Sequence, residues 1–294
     1  MYYRRKVLLG FLEVFGGSLG KINLQKLLFL LSKNQSTPSF DFVPHKYGCY
    51  SFQANWDMTI LASQGYVEEK NKTWHLKNQS NFFKELKKED SLRLMYIFER
   101  YQNYSAKELM IETYQKYPYF AIRSEIASEL LNREEYKQIE EIKPKGNDFT
   151  IFTIGYEGQS IESYFNKLIN NNVKVLCDVR RNAFSQKAGF SKHHLKFFCE
   201  VLGIEYMHIP ELGIESGKRQ ALHSQSDYNS LFQDYEENYL IYQEKSIEKI
   251  LHILESKRRI ALTCFEKSYC QCHRSKVAEA LVKSSEQFFE LKHL

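Results

Sequence analysis

No uninterrupted apolar run in this chain of 294 residues approaches the roughly 20 residues of a membrane-spanning helix. The pattern therefore excludes a helical membrane protein and predicts a soluble one. The start, Met1-Tyr2-Tyr3-Arg4-Arg5-Lys6 followed by Val7 to Leu12, imitates a signal peptide, but Glu13 interrupts it and no small-residue cleavage site follows. A basic amphipathic helix is expected there instead. Six cysteines in a chain of this length do not form a disulfide framework, so reduced thiols and a bacterial, cytoplasmic setting are expected. Charge is also scarce in net terms. A balance of +5 permits nucleic acid or nucleotide partners without establishing them.

What is present divides into two halves. Charged residues make up 26% and hydrophobic ones 43%, the composition of a globular chain. Length suggests about two domains, and Lys143-Pro144-Lys145-Gly146-Asn147-Asp148 is the best linker. The expected domains are residues 1–143 and 149–294.

In the first half, Lys21 to Leu31 has helical apolar spacing. A loop with Pro38 and Pro44 follows, then a helix from Phe52 to Gln64 and a hairpin turning at Lys70-Asn71-Lys72. Helices are further expected over Ser91–Arg100, Ala106–Lys116 and Ile122–Leu131. Lys21 to Leu31, His45-Lys46-Tyr47-Gly48 and Leu61-x-x-x-Gly65-Tyr66-Val67 together resemble the SocA-like (Panacea) antitoxin domain, with Cys49 where that family has proline. The resemblance implies a winged-helix-like domain with a possible protein partner. The plain alternative is a helical domain whose leucine stripe is simply core.

The second half alternates strands and helices. Apolar runs at Phe149–Tyr156, Val173–Arg180, Ile204–Pro210 and Arg258–Cys264 predict strands, with a last one over Phe288–Leu294. Helices are expected over Ser160–Asn170, Ser191–Leu202, a long stretch from about Ser226 to Ser256, and Ser275–Ser284. This alternation is the grammar of an α/β fold with a doubly wound, Rossmann-like parallel sheet.

In such sheets ligands sit beyond the carboxyl ends of the strands. Chemically capable residues accumulate there: Tyr156 and Glu157 after the first strand, Asp178, Arg180 and Arg181 after the second, Cys264 and Glu266 after the fourth. His273 and Arg274 then open a helix, whose N-terminus suits an anion. Thr153 to Gly158, Asp178-Val179-Arg180, Leu212-Gly213, Cys264-x-Glu266, Cys272-His273-Arg274 and the closing Lys292-His293-Leu294 are similar, in kind and order, to the YeaO-like family, domain of unknown function 488. That resemblance implies a Rossmann-like fold over residues 149–294 and no established activity.

The expected site thus has Glu157, Asp178, Cys264 and Glu266 as catalytic candidates, and Tyr156, Arg180, Arg181, His273 and Arg274 as ligand-binding ones. Guanidinium forks clamp phosphate well, and carboxylates opposite a sugar phosphate can serve in N-glycosyl transfer or hydrolysis. Against this, Asp178 and Arg180 could simply pair or brace a loop. Cys264 could be a nucleophile or a small buried residue. Cys264, Cys270, Cys272 and His273 raise zinc, but their spacing is cramped and no second knuckle exists, so neither a metal nor a cofactor is expected. The leading expectation is a domain that acts on or senses a phosphate-bearing nucleotide or nucleic acid. The alternative is a non-catalytic DNA-binding regulator or antitoxin-like partner-binding module.

Overall fold

The structure, a computed structural model, describes residues 1–78, 81–215, 217 and 224–294. Two units emerge, Met1–Lys143 and Pro144–Leu294.

In the first unit, α1 (Tyr3–Val14) leads through Gly16 and Gly17 into a short strand β1 (Ser18–Gly20) and then α2 (Lys21–Asn34). The hairpin β2 (Val43–His45) and β3 (Gly48–Tyr50) precedes α3 (Phe52–Ser63), and the hairpin β4 (Val67–Lys70) and β5 (Thr73–Leu76) follows it. Strand β5 pairs antiparallel with both β1 and β4, giving the order β1-β5-β4. The β4–β5 turn is made by Asn71 and Lys72, both at positive φ, as two-residue hairpin turns require. Helices α4 (Lys88–Tyr101), α5 (Ala106–Lys116), α6 (Ala127–Leu130) and α7 (Arg133–Ile142) complete the unit.

Three expectations change here. The basic helix expected at the chain start is present as α1, but its amphipathic part is not, since Val7 to Leu12 are all buried, and Arg4 and Arg5 both donate to the enclosed Asp57 at 2.5 and 2.6 Å. Likewise α2 is no stripe, because every residue from Leu24 to Ser32 is buried and the helix runs through the core. The helix expected over Ile122–Leu131 shrinks to α6, since the Glu125 amide donates to the Lys46 carbonyl and the Ile126 amide to the Ser124 hydroxyl. Helix α7 goes unread in the sequence although Asn132 and Glu135 form a capping box at its start.

The second unit carries β6 (Thr150–Gly155), α8 (Ile161–Asn170), β7 (Val175–Asp178), α9 (Lys192–Val201), β8 (Glu205–His208), α10 (Gln225–Asn238), α11 (Glu244–Lys257), β9 (Arg259–Cys264), α12 (Arg274–Ser284) and β10 (Glu290–His293). The five strands form one parallel sheet in the order β10-β6-β9-β7-β8. This is the Rossmann-like α/β architecture that the alternation predicts. The inner strands β6, β7 and β9 are buried residue by residue, because helices cover both faces of a parallel sheet. Ile151, Val175, Cys177, Ile260 and Leu262 pack on one face with Ile250 of α11 and Val277 and Leu281 of α12. On the other, Tyr164 of α8 donates to the Thr263 hydroxyl at 2.8 Å. The long helix expected over Ser226–Ser256 is instead α10 and α11, separated by a tight turn over Leu240–Tyr242 that drops Leu240 into the core.

Candidate functional site at the carboxyl edge of the sheet

Pairing of β6 with β9 puts Gly155 beside Cys264, so the loops that follow these strands run together. The Tyr156 and Glu157 amides both donate to the Phe265 carbonyl, at 3.1 and 2.9 Å. In return the Glu157 carboxylate accepts the Lys267 amide at 2.9 Å. Gly155 is required by this closeness: a Cβ there would stand 1.8 Å from the Glu266 carbonyl oxygen.

Arg274, at the start of α12, holds the same loop. Its Nη1 donates to the Glu266 carbonyl at 2.6 Å and its Nη2 to the Lys267 carbonyl at 3.1 Å, while Nε has no partner among the described residues. The side chain is 1% exposed. The arginine expected to clamp an anion is thus a brace for the β9–α12 loop, whose carbonyls it neutralises.

Arg180 is committed in a similar way. Its Nε and Nη2 donate to the two oxygens of Asp178 at 2.8 and 2.5 Å, and its Nη1 reaches the Tyr156 hydroxyl and the Phe190 carbonyl at 2.8 and 2.9 Å. Burial works against the guanidinium charge, but the bond to Asp178 overrides it and holds the group firmly protonated. Asp178 also accepts the Tyr206 hydroxyl at 2.7 Å; burial and that carboxylate push the phenol well above its usual range. Asp178 therefore orients Arg180 and Tyr206. It is fully enclosed and is not among the described residues lining the cavity at this edge, so its contacts are those of a positioning residue.

The edge does open into a cavity of about 340 Å³, lined by Tyr156, Arg180, Arg181, Asn182, Phe184, Ser185, Gln186, Lys187, Ile214, Cys264 and Phe265. None of these described lining residues is acidic. Tyr156 stacks on Phe190 at 4.4 Å between ring centroids and meets the edge of Phe265. Lys187 donates to the Tyr156 carbonyl at 2.9 Å; burial lowers its basicity and the nearby Glu157 partly restores it. The exposed Arg181 reaches the Pro210 carbonyl at 3.4 Å and the Tyr239 hydroxyl at 3.2 Å, weak contacts that leave its charge at the rim.

Of the expected residues, Tyr156, Arg180, Arg181 and Cys264 line this cavity, Glu157 and Glu266 lie on the adjoining loops, and Asp178, His273 and Arg274 sit behind them. Sequence reasoning misses Lys187, Phe190, Tyr206 and His208. The last two were within reach, since on β8 they share a face and His208 pairs in register with Asp178. His208 bonds the Arg180 carbonyl at 2.9 Å.

Cys264, Cys272 and His273 also come together, with their donor atoms within 4.8 Å of one another, while Cys270 is exposed and outside the group. Cys264 donates to the Glu266 carboxylate at 3.2 Å and lies 3.7 Å from His273 Nδ1. Burial, and then the neighbouring Cys264 and Glu266, keep the Cys272 thiol protonated well beyond its ordinary range.

Fold and site together describe a Rossmann-like α/β domain with a polar pocket at the strand ends. Residues 160–281 match the family model described as Domain of unknown function DUF488. That span takes in Asp178, Arg180, Cys264, Glu266, Cys272, His273 and Arg274, and it supports the resemblance of the C-terminal half. It leaves the resemblance of the N-terminal half to the SocA-like domain without support. No curated protein and no solved structure matches the chain.

Proposed function

We infer that the C-terminal unit binds a phosphate-bearing nucleotide, or the end of a nucleic acid, at the carboxyl edge of its sheet. The observation that carries this reading is the cavity itself: Arg181 and Lys187 supply cationic groups, Phe184 and Phe265 expose aromatic faces, and no acidic residue is among its described lining. Cations suit the phosphate, and exposed rings suit stacking with a base. Glu157 and Glu266 flank the cavity as the groups available for proton transfer or attack in N-glycosyl chemistry. Titration calorimetry with mono- and dinucleotides and with 5′-phosphorylated single strands tests the reading. Arg181→Ala and Lys187→Ala should each weaken binding about tenfold, some 1.4 kcal/mol. Unchanged affinity in both variants would overturn it. Wild-type-level turnover of nucleosides, nucleotides or modified DNA by the Glu157→Gln, Glu266→Gln double variant would overturn the N-glycosyl part of the reading.

A second reading, a DNA-binding or partner-binding regulator, is favoured by the first unit. Support for it comes from the order α1, β1, α2, the β2–β3 hairpin, α3 and then the β4–β5 hairpin, with β1 paired to β5, a helix-and-hairpin arrangement of winged-helix-like kind. Affinity for duplex DNA that falls steeply with salt and is lost in Lys72→Glu, at the hairpin tip, would support it.

A further inference from the structure

We propose that Cys264, Cys272 and His273 form a zinc site at the end of β9, beside Glu266. The linear spacing argues against a metal. Folding reverses that argument, because the loop between Cys264 and Cys272 returns to its own start.

Three observations carry the proposal. The donors converge in a closed place: Cys264 and Cys272 are each 1% exposed and His273 is fully buried. The Cys264–His273 spacing also fits an ion, and all three donor atoms lie within 4.8 Å of one another. A sulfur at about 2.3 Å and an imidazole nitrogen at about 2.05 Å from a tetrahedral zinc stand about 3.6 Å apart, and Cys264 Sγ lies 3.7 Å from His273 Nδ1. Finally, the imidazole is held in the ligating tautomer. His273 Nε2 bonds the Val179 carbonyl at 2.9 Å, and a carbonyl can only accept, so the proton is on Nε2 and the Nδ1 lone pair faces the thiols.

Two soft thiolates and an imidazole select zinc over calcium or magnesium. Binding would release two thiol protons to solvent, give up the hydrogen bond from Cys264 to Glu266, and leave a neutral Zn(Cys)₂ pair. Three protein ligands with one exchangeable position is the arrangement of zinc sites that hold water or substrate. Cys264 also lines the cavity, which places the ion at the cavity wall.

The test uses the full chain, stripped with chelator under reducing conditions, reloaded with zinc or cobalt, and desalted. Elemental analysis should find about one zinc per chain for the parent and for Cys270→Ser, whose thiol is exposed and outside the group. Cys264→Ser and His273→Ala should lose at least about tenfold in affinity. Cys272→His guards against variants that merely unfold: it should keep cobalt while losing roughly half of the sulfur-to-cobalt absorption. No metal retained by the parent, equal retention by His273→Ala, or a Cys264–Cys272 disulfide persisting in reductant would each overturn the site. None of these readouts uses the anion, so nucleotide binding can fail with zinc in place, and the reverse.

Discussion

Asp178 and Arg180 stand two residues apart in the chain and close a buried, two-point ion pair across the end of β7. The strand ends at Asp178, and the chain turns so that the arginine folds back over its own carboxylate instead of projecting to solvent. The pair is then roofed by Tyr156 and joined by Tyr206. It ties the loop after β6, the loop after β7 and strand β8 to one another, which is why the cavity beside it has a shape.

Removing one member should therefore cost more than a surface ion pair would. Asp178→Asn leaves the guanidinium without its charge partner at 5% exposure, a loss of about 3–5 kcal/mol. Both tryptophans, Trp56 and Trp74, belong to the first unit, so their fluorescence cannot report this change. Hydrogen exchange across β6, β7 and β9 can. An Asp178→Leu, Arg180→Met double variant should be less destabilised than Asp178→Asn, since neither charge is then stranded. Additive losses in the double variant would contradict this account of the pair.

Gly155 separates two ways in which a glycine can be needed. In Gly155→Ala the new methyl would overlap the Glu266 carbonyl, at 1.8 Å from its oxygen and 2.6 Å from its carbon, and these are backbone atoms that Arg274 holds in place. The β6 and β9 loops would have to part, at about 3 kcal/mol or more. Gly158, three residues on, meets no atom within 4 Å but has φ +72°, so Gly158→Ala should cost only about 1–2 kcal/mol. Thermal melts followed by circular dichroism rank the two. A Gly158→Ala loss as large as that of Gly155→Ala would mean that the close approach is not what the glycine serves.

The legible part of this protein is the part written in periodicity. Inner strands of a parallel sheet are buried on both faces, so β6, β7 and β9 read as apolar runs, and the reactive residues at their ends could be placed at one edge. Which way those residues point was not legible. Arg180 and Arg274 carry the chemistry of anion ligands, yet tertiary structure turns the first onto Asp178 and the second onto two loop carbonyls. The 181–190 segment has no apolar period to read, so Lys187 and Phe190 were hidden although they border the cavity or support its wall. Convergence of Cys264, Cys272 and His273 depends on a loop closing on itself, which spacing along the chain does not encode.

His45, in the first unit, should make stability depend on acid pH. Burial, then the positive charges of Lys46, Lys26 and Arg123, lowers its pKa from 6.5 to about 4, while its ring stacks on Tyr50 at 4.7 Å. The folded state resists protonation that the unfolded chain accepts. Stability from this group is therefore whole above pH 6.5 and is lost as pH falls from 6.5 toward about 4. Since the ring is partly solvated, the loss should be about 1–2 kcal/mol rather than the full value of the shift. Carboxylates held below their usual range, such as Glu112, where partial burial pushes the pKa up but the bonds from Lys116 and Tyr101 outweigh it, also favour the unfolded state on acidification, so the parent curve alone does not isolate His45. The difference from His45→Phe does, because phenylalanine keeps the stacking ring and cannot take a proton. Urea melts read by tryptophan fluorescence, which reports this unit alone, should show the parent losing stability relative to His45→Phe across that interval. Parallel curves from pH 6.5 to 4 would show that His45 is protonated as readily in the folded chain as in the unfolded one.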